Sequence, residues 1–306
     1  MSQFDQSSLK IIDAHHHFWD LKSSGIHYPW LHNKTPEAFF LGDYTQLRQN
    51  YLPVDHLRHA GDHLIEKTVH VEAECSRDEQ VAETRWLSEL HVKAGLPSAI
   101  VAHAWFHTAN AAAVLEKQAS FSLVRGIRSK PVTRSSPTAS LASVEGSMQD
   151  PAWLAGLKRL RQHNFSWDLR VPAWHLTEAA DVLQQIPDTP VVLNHTGFPW
   201  NRSEEGLAMW REGMQALAAH PNCFCKLSCL CLPDGPWDYD SNRALVLEAI
   251  DRFGVERCMF ASNFPVDGLR VDMNTMWRDY KRMVSDFSPA DQQRLFYGSA
   301  AAFYRV

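Results

Sequence analysis

Short apolar and β-branched runs alternate with stretches of helical periodicity along almost the whole chain. Lys10–Ala14 (KIIDA), Thr68–Ala73 (TVHVEA), Ala99–Phe106 (AIVAHAWF) and Ser122–Ile127 (SLVRGI) read as four strands. Between them, Asp78–Lys93 carries Val81, Leu87 and Leu90 at helical spacing and stops near Gly95 and Pro97. Asp150-Pro151 supplies an N-cap followed by proline, and Leu154, Leu157 and Leu160 recur three apart behind it. Ser166–Val171 (SWDLRV) is a fifth strand, followed by a helix with Thr177 as cap and Ala179, Ala180, Leu183 and Ile186 as its buried stripe. Thr189–Leu193, Cys223–Leu227 and Arg257–Ala261 complete the strands. The helices between these last three bury Trp210, Met214 and Leu217, then Leu245, Ala249 and Phe253, the second stopping at Gly254; the remainder to Val306 reads as helical.

Eight strands separated by helices are the signature of parallel βαβ units. A doubly wound open sheet fits the alternation too, but it would normally show a glycine-rich phosphate turn after an early strand. The chain has neither a GxGxxG nor a Walker pattern. The expected fold is therefore α/β, a (β/α)₈ TIM barrel forming one domain over residues 1–306, with its site at the C-terminal rim of the strands. Two excursions break the alternation. His16–Leu57, rich in Trp and Phe, predicts a packed lid, and Ser129–Gln149, rich in Ser, Pro and Thr, predicts an irregular loop over the mouth.

A formal charge of −5 gives no electrostatic reason to expect nucleic acid or an anionic membrane as partner. No apolar run approaches the roughly 20 residues of a membrane span, and the N-terminus lacks the basic and apolar regions of a secretory signal. Six cysteines are too few for a disulfide scaffold, so a cytoplasmic protein with reduced thiols is expected, and a homo-oligomer is allowed. The composition is unusual in its 16 histidines and 11 tryptophans, several of them at strand ends.

In Asp13-Ala14-His15-His16-His17, strand alternation points His15 and His17 together, with Asp13 behind them on the same face and His16 turned away. Two imidazoles so spaced can reach one metal ion at roughly 2.0–2.1 Å; a purely structural histidine cluster is the alternative. His195 shares a face with Val191 and Leu193, and as a lone case it could equally be a core histidine bonded to backbone. Asn263 points with Met259 and Ala261 at the end of the last strand. Arg128 and Lys226 are candidates for gripping a carboxylate or an oxyanion. Phe224, Lys226 and Ser228 share one face of their strand and Cys223, Cys225 and Leu227 the other, so an inward lysine makes the cysteines packing residues. Their spacing is wrong for a zinc site of paired CxxC type. His175 lies at a rim position, whereas His70 and His103 read as core groups. Trp19, Trp30, Trp174 and Trp200 follow strand ends or lie in the lid, where they would suit an apolar or ring-shaped substrate or simply pack the lid.

IDAHHHFWD near the start, VVLNHTGFP at the sixth strand, KLS at the seventh and CMFASNFPVD at the eighth together resemble the amidohydrolase-related (amidohydrolase 2) family. Within it the lactonase branch, sugar-lactone hydrolases and 2-pyrone-4,6-dicarboxylate lactonases, is most similar. The resemblance spans nearly the whole chain and implies a barrel that hydrolyses a cyclic ester; some relatives bind one divalent metal and others work without one. It matches His15 and His17 to the family's first-strand pair and His195 to its sixth-strand histidine. Asn263 falls where most relatives carry an aspartate that takes the proton from the attacking water. A neutral amide cannot act as that base, a contribution of roughly 10²–10⁴-fold. Asp267, Glu72 and Glu74 are the carboxylates left nearby.

The resulting expectation is a lactone hydrolase with one divalent ion, zinc by type, on His15, His17 and His195. His195, Asn263 and Asp267 are the expected catalytic residues, and Arg128, Lys226, His175 and Trp19 the expected contacts to a small-molecule substrate. A metal-dependent decarboxylase, which needs no water-activating aspartate, and a barrel that has lost catalysis and only binds are the two alternatives.

Overall fold

The computed structural model describes residues 6–33, 39–139 and 144–306. Eight parallel strands run in the order of the chain: β1 (Lys10–His16), β2 (Leu64–Val71), β3 (Ala99–Ala102), β4 (Val124–Ile127), β5 (Ser166–Leu169), β6 (Val191–Leu193), β7 (Cys223–Leu227) and β8 (Cys258–Phe260). The barrel closes just beyond the ends of β8 and β1, where Asn263 N donates to His15 O at 2.8 Å and His17 N donates to Phe264 O at 2.8 Å. The expected TIM barrel is the fold of the chain.

Alternation sorts the strand residues into two apolar layers. Ile12, Ala14, Val69, Val71, Ala99, Val101, Val192, Met259 and Ala261 fill the barrel interior, with Phe303 and Tyr304 of the last helix packed into the same cluster. Ile11, Ile100, Trp167, Leu169, Val191, Leu193, Cys225 and Phe260 face the helical ring. As the alternation predicts, Lys226 lies inside the barrel and Cys223, Cys225 and Leu227 outside it.

The helices follow local signals, with one correction. Asp150 caps the helix Pro151–Lys158 by accepting from Ala152 N at 2.8 Å, an interaction typically worth about 1 kcal/mol. Thr177 is not a cap: the helix Leu176–Leu183 begins one residue earlier and puts it in the first turn, with His175 at the cap position. Among the described residues no helix is long and apolar enough to cross a membrane.

Two backbone features aim the side chains at the mouth. Asp13 pairs with Thr68 and His16 with His70, so Ala14 and His15 together face the single residue Val69. This bulge lets both Ala14 and His15 point inward and puts Asp13 and His16 on the outer face. The expectation that Asp13 shares the face of His15 is thereby corrected: Asp13 turns to the helix Pro53–Ala60, where His56 Nε2 lies 3.1 Å from its Oδ2. The second feature is a set of left-handed residues at strand ends: Glu74 (φ 60°), His195 (φ 60°), Cys229 (φ 54°) and Asn263 (φ 55°).

Candidate active site

The site begins with the first strand. His15 is fully buried, its ring centroid 5.1 Å from that of His17 and 4.4 Å from that of His195. His17 Nδ1 lies 2.7 Å from the Val71 carbonyl, which only accepts, so Nδ1 carries the proton and Nε2 is free. His195 Nδ1 lies 3.1 Å from Ser228 Oγ, which likewise leaves its Nε2 free. Alternation alone would have sent His195 outward with Val191 and Leu193. The left-handed run His195, Thr196, Gly197, Phe198 turns the chain after β6 and brings the imidazole to the mouth instead. Burial, followed by nearby cations, holds His15 and His195 well below the ordinary imidazole value and lowers His17 to about 4. All three are neutral near neutral pH.

Beneath His15 lies a buried polar chain. Lys226 Nζ donates to Asp168 Oδ2 at 2.6 Å and stands 3.4 Å from His15 Nδ1. Tyr304 Oη and Asn194 Nδ2 also donate to Asp168, at 3.1 and 3.0 Å. An ammonium facing Nδ1 donates to it, so a neutral His15 carries its own proton on Nε2, an atom that is buried and has no protein partner.

A cavity of about 290 Å³ opens above these rings, lined by His17, His195, Asn263, Arg128, Lys130, Arg170 and Glu74 on the polar side. Trp30, Phe39, Phe40, Tyr44, Phe198 and Trp200 form its aromatic wall, so the excursion after β1 does pack as a lid over the mouth. Most of the charges here cancel in pairs. Arg128 binds Glu72 through Nε at 2.6 Å, Lys130 pairs with Glu74, and Lys226 pairs with Asp168. Although burial opposes charge on both glutamates, the Arg128 and Lys130 cations outweigh it and keep Glu72 and Glu74 ionised, Glu74 near 2. Arg170 alone among the described basic residues lining the cavity has no hydrogen-bond or ion-pair partner; its guanidinium sits 5.2 Å from the centroid of the Phe198 ring. The cavity therefore carries one uncompensated positive charge.

The candidates read from the sequence separate into three groups. His17, His195, Asn263 and Arg128 line the cavity, and His15 lies directly beneath. Asp267 is buried behind Asn263, accepting from its Nδ2 at 2.8 Å. Lys226, His175 and Trp19 are not among the lining residues. Lys226 is held below His15. His175 is engaged by Arg134 N and Glu178, and Trp19 Nε1 donates to Gln49 O behind the lid. Arg170 went unread, although a signal was present: Ser166, Asp168 and Arg170 alternate as polar residues in an otherwise apolar strand.

Three imidazoles are a donor set that zinc accepts. The free Nε2 atoms of His17 and His195 fit that use; Nε2 of His15 does not while the Lys226 ammonium donates to Nδ1, and it joins them only where Lys226 gives up a proton. As they stand, no three His, Cys, Asp or Glu side chains among the described residues are grouped to hold an ion.

Histidines from β1 and from the turn after β6 thus meet at the C-terminal mouth of a closed barrel. Residues 12–306 match the amidohydrolase family model, and the chain belongs to that family. It is 35% identical over 303 residues to an uncharacterised protein of Sinorhizobium fredii, covering 98% of this chain and all of that one. It is 26% identical over 300 residues to the L-fucono-1,5-lactonase of Burkholderia ambifaria, covering 96% and 95% of the two chains. The structure of a zinc-bound amidohydrolase from Burkholderia multivorans superposes with a TM-score of 0.78 at 24% identity, over 97% of this chain and 99% of that one.

Proposed function

We propose that this chain hydrolyses a small lactone bearing an anionic group. The observation that carries this reading is a cavity lined by the neutral imidazoles of His17 and His195, with His15 packed beneath them, whose one uncompensated charge is Arg170. The kinship with lactonase-named relatives supports the reaction class.

In this reading the lactone ring stacks within the aromatic wall and its anionic substituent bonds to Arg170. The Arg128 guanidinium donates to the carbonyl oxygen as negative charge develops on it. His195, neutral and held by Ser228 through Nδ1, takes the proton from the attacking water at Nε2 and returns it to the ring oxygen that leaves. Asn263 cannot take that proton and instead orients the water. A single divalent ion, zinc by donor type, would be held by His15, His17 and His195, and when bound it supplies carbonyl polarisation and an acidified water.

The deciding experiment incubates the purified chain with neutral and carboxylated γ- and δ-lactones, with and without chelator, following acid release and carbon dioxide together. Acid release, faster for the carboxylated members, is the expected result. Carbon dioxide from carboxylated aromatics without ester cleavage would move the assignment to a lyase, and saturable binding without turnover to a binding protein.

A further inference from the structure

Asn263 and Asp267 form a unit that the hydrolytic reading does not yet explain. Asn263 lines the cavity, while Asp267, in the turn Val266–Leu269, is wholly buried behind it. Their main chains are joined, Asp267 N donating to Asn263 O at 3.2 Å, and their side chains are joined by Asn263 Nδ2 donating to Asp267 Oδ1 at 2.8 Å. The backbone of Asn263 is itself fixed, with φ 55° and its N–H bonded to His15 O. The amide therefore has little freedom except rotation end for end.

A side-chain amide has a donor end and an acceptor end, and a carboxylate can only accept. An ionised Asp267 thus takes the NH₂ end and leaves Oδ1 toward the cavity. Any other orientation would set two acceptors against each other. We propose that Asp267 is a positioning residue that holds the Asn263 carbonyl oxygen toward the cavity, where it accepts a hydrogen bond from the attacking water. Position 263 then keeps the acceptor geometry of a carboxylate without its charge, and the proton is left for His195. This inference rests on the hydrolytic reading.

The hold should depend on pH. Burial raises the Asp267 carboxyl to about 7, against the lowering effect of Asn263 and Cys229. The groups facing it are few. Cys229 and Cys231 follow β7, and burial raises both thiols far above neutrality. Tyr280, from the helix Met273–Met283, is raised likewise, and Asp13 of β1 is tied to His56 and Ser262. A protonated Asp267 can donate as well as accept, so the amide is no longer held one way round.

The test has a spectroscopic arm that needs no substrate and a kinetic arm that does. In the first, the Asn263 side-chain NH₂ resonances, assigned by their loss in Asn263→Asp, are followed from pH 5.5 to 8.5 in the whole protein. They should titrate with one step near 7, and the step should vanish in Asp267→Asn. In the second, Asp267→Ala should lower kcat on the lactone about 10- to 100-fold with KM within about threefold. Asp267→Asn, which keeps an acceptor, should recover most of that loss and lose the acid limb of the pH profile. Resonances indifferent to pH, or an acid limb unchanged in Asp267→Asn, would overturn the proposal, and the isosteric variant keeps the test open should the alanine variant misfold. If the resonances titrate but no lactone is hydrolysed, Asp267's hold on the amide is supported and the hydrolytic reading fails.

Discussion

Lys226 Nζ lies 3.4 Å from Nδ1 of His15, so the orientation of the proton on a mouth histidine is set by a cation lodged in the barrel core. That cation is itself kept in place by Asp168, and both are fully buried. Burial lowers the lysine from its ordinary value, and the Asp168 carboxylate opposes the drop.

Replacing Lys226 with Met leaves the buried Asp168 charge without its cation, with only the Tyr304 hydroxyl and the Asn194 amide donating to it. The expected cost is about 3–5 kcal/mol, as for other buried pairs broken on one side. The double change Lys226→Met with Asp168→Asn should regain most of it, because the amide oxygen still accepts from Tyr304 and Asn194. Urea denaturation of the two variants checks this, and equal stabilities would show that no charge had been stranded.

Arg170→Met should leave folding intact and weaken capture of anionic lactones specifically. A hydrogen bond to a charged group is worth about 1.5–3 kcal/mol, so KM for a carboxylated lactone should rise roughly 10- to 100-fold. KM for an uncharged lactone of the same ring should barely change. Parallel loss on both substrates would mean that Arg170 shapes the cavity and does not read charge.

His16 predicts an acid weakness. It is fully buried against Phe18, His56 and His70, and neither ring nitrogen has a partner. Burial first, then His56 and His70, hold its pKa well below 6.5. Below about 6.5 the unfolded chain takes up a proton that the folded chain refuses, so stability is complete above that pH and lost as pH falls. His16→Phe removes this term and the unpaired nitrogens, so its acid-unfolding midpoint, followed by tryptophan fluorescence, should fall below that of the parent. An unmoved midpoint would place the acid sensitivity elsewhere.

Asp267 acts with the opposite sign. Its folded value near 7 exceeds the ordinary 3.8, so between those limits the native state keeps a proton the unfolded chain has lost. Stability then falls as pH rises through this window, by up to about 4 kcal/mol. Asp267→Asn should gain on the parent from pH 4 to about 7 and run parallel above it. A constant offset in urea midpoint would contradict the assignment.

Zinc titrated calorimetrically into chelator-treated protein should bind at one equivalent, and His17→Ala should abolish it. Absence of binding with full hydrolysis would leave the reaction to Arg128 and His195 alone.

How much of this was legible depended on what sets each side chain's direction. Where an unbroken strand decides, as with Lys226 inside and Cys225 outside, the alternating pattern is sufficient. Where one extra residue enters β1, Asp13 changes face while His15 and His17 keep theirs, and nothing in KIIDAHHH marks the bulge. His195 reaches the mouth only because the chain leaves β6 in a left-handed turn, which hydrophobic periodicity does not encode. Lys226 has the residue type of a substrate anchor, but the partner that withdraws it, Asp168, lies 58 residues away.

The left-handed residues at the strand ends also bear on how such a mouth changes over time. At Glu74, His195, Cys229 and Asn263 the main chain, more than the side chain's own length or rotamer, sets the line of departure. A new residue there inherits its predecessor's heading, so chemical character can be exchanged at one corner of the rim while the others keep their bearings. An asparagine at such a corner takes the heading that an aspartate would take there.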